Sequence, residues 1–359
     1  MAKKGILLQG TDLNELARNF LAKLLETGKV KAIVAQKEMV AGRGAYHYML
    51  ASVDDLKGVN PFVPYMVQNG ATIVSQLTKN EPFDQPVAVV LRPCEVRALV
   101  ELVKLRQANL DNIYIISFEC PGTYSNEDFR AQPDDFPKSG RQIREACQIC
   151  IRFTPPVSDV SMEYSAIDGG LMLIPKSEKG EALLKEVFGE NEFSDVPAEH
   201  DEALETRLKQ AESVRKEKFA EFEKQIAGMD NLMEFFAYCT GCHNCKQMCP
   251  ICMCRECFFE SPAMFRTGHD NILRASEKGA FRVNEIMFFH LGRLAHITPS
   301  CIGCGMCTEA CPADIKVGLL FSYVAERVQG AFDYEAGRSL DEPLILTTYK
   351  EDELLDLAL

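Results

Sequence analysis

Two copies of the run C-x-x-C-x-x-C-x-x-x-C-P occupy the second half of this chain, and few folds accommodate them. The first reads Cys239, Cys242, Cys245, Cys249 and Pro250; the second reads Cys301, Cys304, Cys307, Cys311 and Pro312. A cubane iron-sulfur cluster asks for four converging soft thiolates. Three closely spaced cysteines wrap one corner, and the remote fourth of such a run ligates the other cluster. The spacing therefore predicts one 4Fe-4S cluster on Cys239, Cys242, Cys245 and Cys311, and a second on Cys301, Cys304, Cys307 and Cys249. Structural zinc, the alternative, pairs C-x-x-C units and does not ask for a third cysteine at the same step.

The length of 359 residues, 47% of them hydrophobic and 25% charged, is that of a soluble globular chain of two or three domains. Fifteen cysteines in such runs suit metal ligation, because disulfide scaffolds belong to small secreted chains. Ligated thiols imply a reducing cytoplasm. Consistent with that, Met1-Ala2-Lys3-Lys4 is followed only by the short apolar run Ile6, Leu7, Leu8, too brief for a secretory signal, and no direct membrane insertion is expected. A net charge of -13 argues against a nucleic-acid partner, which needs a basic face. No G-x-S-x-G, H-E-x-x-H or phosphate-binding lysine loop offers a rival chemistry, and Gly42-Arg43-Gly44 reads as a plain turn.

The first half alternates strand and helix signals. Residues 5–9 read as a strand, Leu13 to Leu25 as a helix ended by Gly28, and Lys31 to Ala35 as the next strand, a strand-helix-strand unit. Tyr46 to Val53 follows as a strand, and Ala71 to Leu77 as a helix or strand. Val87 to Leu91 is an apolar run suited to a buried parallel strand; Val96, Leu99, Val100 and Val103 then give an amphipathic helix, and Ile113 to Phe118 a second buried strand. A right-handed crossover sends both strand ends to one sheet edge, which places Cys94 and Cys120 together there. Cys94 also opens its helix, where the dipole favours a thiolate. With the C-x-x-C of Cys147 and Cys150, these four thiols are enough for a third cluster; the other reading makes Cys94 and Cys120 small buried hydrophobes and the C-x-x-C a lone redox or zinc half-site.

Leu91-Arg92-Pro93-Cys94-Glu95-Val96-Arg97-Ala98-Leu99 resembles the Pro-Cys helix start of the beta subunits of coenzyme F(420)-reducing hydrogenases and formate dehydrogenases. The order continues with Cys120, with Arg144 to Cys150 as Arg-x-x-Cys-x-x-Cys, with Ser158-Asp159-Val160, and with Leu173 to Gly180 as a strand and Lys-Gly helix start. The resemblance covers roughly residues 10–190. It implies FAD and iron-sulfur clusters, electron exchange between a deazaflavin and a metalloenzyme partner, and a cluster on Cys94, Cys120, Cys147 and Cys150 beside the flavin. Where that family has Gly-Gly-x-x-Thr, this chain has Asn14-Glu15-Leu16-Ala17-Arg18-Asn19, whose side chains would obstruct a cofactor needing bare backbone. A conduit without the hydride-accepting flavin and a subunit that retains FAD are both left open.

Residues 198–227 read as a solvated connecting helix with Glu205/Lys209 and Glu212/Lys216 pairs. Between the two runs, Val283, Ile286, Met287, His290, Leu291, Leu294 and Ile297 keep helical spacing, similar to the helical two-cluster ferredoxins of heterodisulfide reductase and succinate dehydrogenase subunits. His290 and His296 on this helix suit packing or hydrogen bonding more than ligation. Cys252, Cys254 and Cys257 are left over; zinc with His243 or His269 as fourth ligand, an additional cluster, or replacement of Cys249 are the metal roles open to them. The tail from Ala331 is acidic, and Leu354, Leu355, Leu357 and Leu359 give it an apolar side; a solvated surface segment is the default reading, and docking on the chain itself or on a neighbour the other.

The expected architecture is thus an α/β domain with a partly parallel sheet over residues 1–190, a helical connector over 191–230, a mainly α-helical dicluster ferredoxin domain over 231–330 and an acidic tail over 331–359. The expected function is an electron-transferring iron-sulfur subunit of a cytoplasmic oxidoreductase complex of hydrogenase, formate dehydrogenase or heterodisulfide reductase type, partnered by other redox subunits. The alternatives are an FAD-containing subunit that itself exchanges hydride with a deazaflavin or nicotinamide, and a redox-sensing metal-binding regulatory protein.

Overall fold

The structure is a computed structural model that describes residues 3–39, 44–131, 142–262, 264, 267–278 and 283–349. The expected turn at Gly42-Arg43 and the leucines at the end of the tail lie outside the described residues. The chain opens with β1 (Lys4–Gln9), α1 (Leu13–Glu26), β2 (Ala32–Glu38), β3 (Ala45–Leu50), α2 (Gly70–Thr78), β4 (Val87–Val90), α3 (Pro93–Lys104) and β5 (Ile113–Phe118). It continues with α4 (Asn126–Ala131), α5 (Glu145–Gln148), β6 (Val160–Glu163), β7 (Gly170–Pro175), α6 (Glu178–Phe188) and β8 (Phe193–Asp195). The long α7 (Ala198–Ile226) then leads to α8 (Met229–Phe235), α9 (Asn244–Gln247), α10 (Gly268–Lys278), α11 (Val283–Ile297), α12 (Met306–Glu309) and α13 (Val317–Ala331).

The eight strands form one sheet in the order β3-β2-β4-β5-β6-β7-β1-β8. The centre, β2-β4-β5-β6, is parallel, and the flanking pairs are antiparallel. Both faces of the centre are covered, so its strands are apolar on both sides. Ile33, Ala88, Val90, Ile116 and Phe118 point into one core beneath α1 and α6, while Val34, Val89, Ile113 and Ile115 point into the other beneath α2 and α3. The alternation of period two within these runs is what divides them between the two cores. β1 and β2 are joined by α1 but are not neighbours: β1 pairs antiparallel with β7 and β8. Its half-buried run suits that outer position better than the centre.

The sequence predicts α3 as amphipathic, yet Glu95, Arg97 and Glu101 are as buried as its valines and leucines. Glu95 accepts from the Gly70 and Arg92 N–H groups within the first half, at 2.9 and 2.8 Å, whereas Arg97 and Glu101 find partners in the second half of the chain. Arg97 donates to the carbonyl oxygens of Ala336 at 2.9 Å and Ile302 at 3.1 Å. Glu101 accepts from the Tyr334 hydroxyl at 2.6 Å and the Gly337 N–H at 2.8 Å. Tyr334, Ala336 and Leu344 join the α2/α3 core, so the first part of the tail is packed rather than solvated.

α7 differs from its reading as a solvated connector. Most of it is exposed, but His200, Phe219 and Phe222 are buried and tie it to both halves. His200 Nε2 lies 2.6 Å from the Glu163 carboxylate of β6, and Arg207 donates to the Cys120 carbonyl at 2.5 Å. Further along, Arg215 donates to the Ile149 carbonyl at 3.1 Å, and Phe219 and Phe222 meet Tyr323 of α13.

Burial by itself would lower the His200 pKa, but the Glu163 hydrogen bond and the Ser165 carbonyl outweigh it and raise the value. A raised histidine stabilises fully below its unfolded value of 6.5 and loses that contribution as pH rises through the folded value. Glu163 resists burial through His200 and Lys176 and is held down to about 2, so its share persists above the ordinary 4.5 and fades only in acid. His200→Asn is expected to cost about 2 kcal/mol at pH 6 and less at pH 8.5. Thermal unfolding at both pH values checks this; an equal loss at each would rule out the charged pair.

Candidate metal centres

The two cysteine runs fold as repeats. In each, a glycine two residues after the first cysteine is left-handed, Gly241 at φ +66° and Gly303 at φ +70°. In each, the residue after the second cysteine is left-handed as well, His243 at φ +60° and Gly305 at φ +73°. A single helical turn follows, α9 or α12, and α9 packs against α12. The left-handed residues turn the backbone so that N–H groups face sulfur: Gly303 N–H is aimed at the Cys301 thiol and Met306 N–H at that of Cys304. Glycine adopts this geometry without penalty. His243 adopts it while stacked on Phe289, with ring centroids 4.1 Å apart.

The first predicted set gathers around Cys245, which is buried and feels the charges of Cys239, Cys242 and Cys311. Burial pushes its thiol up to about 11, against the pull of Arg293. α11 lies over this set and contributes two side chains one turn apart. His290 Nε2 is 3.4 Å from Cys239 Sγ, its ring stacked on Phe236 and its pKa pushed down to about 3 by burial and then by Arg293. Arg293 Nη1 donates to Cys245 Sγ at 3.1 Å. Cys242 is exposed. His296 is exposed.

Cys249, Cys301, Cys304 and Cys307, the second predicted set, line one cavity together with Arg293 and Phe321. Cys94, Cys120, Cys147 and Cys150 line another, with Arg92, Arg144, Arg152 and Arg207 around them and Cys304 on its wall. The parallel register of β4 and β5 brings Cys94 and Cys120 to one edge, as the crossover argument requires. Cys94 does open α3, but burial raises its thiol well above the ordinary value, and Glu95 and the neighbouring thiols add to this. A helix dipole contributes about 1 kcal/mol or less, whereas desolvation moves a buried thiol by several times that. Cys147 differs: burial acts upward, but Arg144 and the Thr123 hydroxyl at 3.5 Å outweigh it and leave the thiol lowered.

Of the remaining cysteines, Cys252 faces the Cys249 thiol and Arg293, Cys254 is exposed and Cys257 is half-buried. His269 is exposed, and His243 is engaged with Phe289. Among the described residues, no three His, Cys, Asp or Glu side chains are grouped tightly enough to hold a single ion. The second and third sets fit 4Fe-4S groups: each brings its four sulfur donors to one cavity, with N–H groups aimed at sulfurs in the second set and buried guanidinium groups on the walls of both. Sequence reasoning missed Arg293; its signal was a lone cation on the apolar face of α11 among Ile286, Phe289 and Ile297.

The 4Fe-4S dicluster domain family matches residues 234–315. This segment is an iron-sulfur domain. Beyond that segment, the F420-dependent formate dehydrogenase subunit beta of Methanocaldococcus jannaschii is 26% identical over 295 residues, 71% of this chain and 74% of its own length. The F420-dependent formate dehydrogenase 1 subunit beta of Methanococcus maripaludis is 25% identical over 364 residues, 89% of each. A chain of the solved F420-reducing NiFe hydrogenase complex from Methanosarcina barkeri aligns at a TM-score of 0.48 and 12% identity, covering 64% of this chain and 94% of that one. The two formate dehydrogenase beta subunits thus resemble this chain well beyond its cysteine runs.

A Cβ added at Gly305 would sit 2.4 Å from that of Ala146, in the α5 turn that carries Cys147, and the left-handed backbone there adds strain. Gly305→Ala is expected to cost at least about 1–2 kcal/mol, lowering the melting temperature. Gly330→Ala, in α13 with open space around it, serves as the control and is expected to be neutral or to stabilise by about 0.5–1 kcal/mol.

Proposed function

We propose that this chain is the electron-transferring iron-sulfur subunit of an oxidoreductase complex, with Cys239, Cys242, Cys245 and Cys311 holding one cubane, Cys301, Cys304, Cys307 and Cys249 a second, and Cys94, Cys120, Cys147 and Cys150 a third. The observation that carries this reading is that the three thiol sets adjoin. Arg293 touches Cys245 and lines the cavity of the second set, and Cys304 belongs to the second set while forming the wall of the third. A 4Fe-4S group supplies one-electron transfer when bound. The chain's own residues exclude water from the sulfurs, aim N–H groups at them and surround them with fixed positive charge. The exposed Cys242 marks the end where another redox subunit would meet the relay, and the edge at Cys94 and Cys120 marks the other. Fifteen cysteines in ligand-spaced runs suit a reducing cytoplasm.

A second reading is favoured by the names of the relatives, which are F420-dependent. A deazaflavin gives up two electrons as hydride, whereas a cubane takes one, so a converter is required between them. FAD beside Cys94 and Cys120 would be that converter. Flavin retained after anaerobic reconstitution with FAD supports this version, and its absence removes it.

Cys147→Ala is expected to lower bound iron by about four atoms per chain while leaving the signals of the two clusters in 234–315 in place. Iron analysis with low-temperature EPR on oxygen-free protein checks this. Full iron in the variant refutes Cys147 as a ligand, and colourless wild-type protein carrying only zinc sinks the relay.

A further inference from the structure

Arg293 is 3% exposed, and none of the ion pairs among the described residues involves it. Its guanidinium lies over two aromatic rings, 4.8 Å from the Phe321 centroid and 5.5 Å from that of Phe289. Nη1 donates to Cys245 Sγ at 3.1 Å, Nη2 donates to the Cys245 carbonyl at 3.1 Å and lies 3.9 Å from Cys252 Sγ, and the buried Nε has no partner among the described residues. On its other side the same group lines the cavity of Cys249, Cys301, Cys304 and Cys307. The charges that bear most on it are those of Cys245, Cys252, Cys249 and Cys307, drawn from both runs. A buried cation with no carboxylate partner costs several kcal/mol unless an anion stands nearby, and here the neighbours are sulfurs.

The next junction repeats the arrangement. Arg144 is buried and donates from Nη2 to the Cys304 carbonyl at 2.8 Å, and its Nε also has no partner among the described residues. It also lines the cavity of Cys94, Cys120, Cys147 and Cys150. The two guanidinium groups thus stand where the first set meets the second and where the second meets the third.

We propose that Arg293 is the fixed countercharge shared by the first and second thiol sets, raising the reduction potentials of both cubanes, and that Arg144 acts likewise between the second and third. The inference rests on the cluster reading above. An added electron makes a cubane more negative, so a desolvated guanidinium hydrogen-bonded to its sulfur favours the reduced form. Arginine suits the place because it cannot shed its proton and its planar fork reaches two acceptors at once.

The test is an EPR-monitored redox titration of oxygen-free protein, with the third cluster's signal assigned by its loss in Cys147→Ala. Arg293→Gln is expected to shift both clusters of 234–315 negative by at least tenfold in the reduced-to-oxidised ratio at fixed potential, about 59 mV for one electron, and to leave the third in place. Arg144→Gln is expected to move the third and second signals and spare the first. Arg293→Lys, which keeps the charge, is expected to shift by less than tenfold. Unchanged potentials in a fully iron-loaded Arg293→Gln protein overturn the inference, as does a Lys variant that drops as far as the Gln variant. Should the Gln variant fail to hold iron, the Lys variant decides by the same threshold; iron loss in both makes Arg293 an assembly residue and overturns the tuning role. Wild-type protein without iron-sulfur signals would sink the cluster reading instead, so the two failures are distinct.

Discussion

Desolvated sulfur is the constraint around which this molecule is built. Thiols are pushed toward their neutral form by burial, as at Cys120, Cys245 and Cys301, each near 11, yet metal ligation needs them ionised. Whatever lies next to them must therefore favour negative charge. The chain answers with N–H groups presented by left-handed turns at Gly122, Gly303 and Gly305 and with guanidinium groups kept out of water. Cys147 shows the balance tipped the other way, its thiol lowered because Arg144 and Thr123 together exceed burial.

The same constraint explains why the two halves are fastened so firmly. Cys304 belongs to the second set but forms part of the wall around Cys94, Cys120, Cys147 and Cys150, so a shift between halves would separate the two thiol sets. α3 supplies the grip: Arg97 and Glu101 are buried because the Ile302 loop and the segment Tyr334–Gly337 complete their hydrogen bonds. α7 adds a strap that touches Glu163, the Cys120 carbonyl, the Ile149 carbonyl and Tyr323 in turn.

Much of this was legible beforehand. The buried runs at β4 and β5, the helix between them and the meeting of Cys94 with Cys120 follow from periodicity and crossover handedness alone. The helix over 283–297 was likewise plain from its apolar spacing. The place of β1 was not, because a short half-apolar strand carries no record of its neighbours, and its partners β7 and β8 lie far along the chain. The tail was misread for a related reason: acidic composition spoke for solvent, while Tyr334, Ala336 and Leu344 reach a core made by residues more than two hundred positions away.

The sequence by itself determined where the cysteine runs of the dicluster segment lie, because residue type and spacing are local properties: three cysteines at a fixed step form a corner wherever the chain goes. Only the tertiary structure decided how the centres relate. That Arg293 stands between two sets, that Arg144 reaches the Cys304 backbone and that α3 hides charges rather than displaying them all depend on long-range packing. Burial turns a solvated cation into a strong local field, and burial is a property of the fold that no short stretch of residues records.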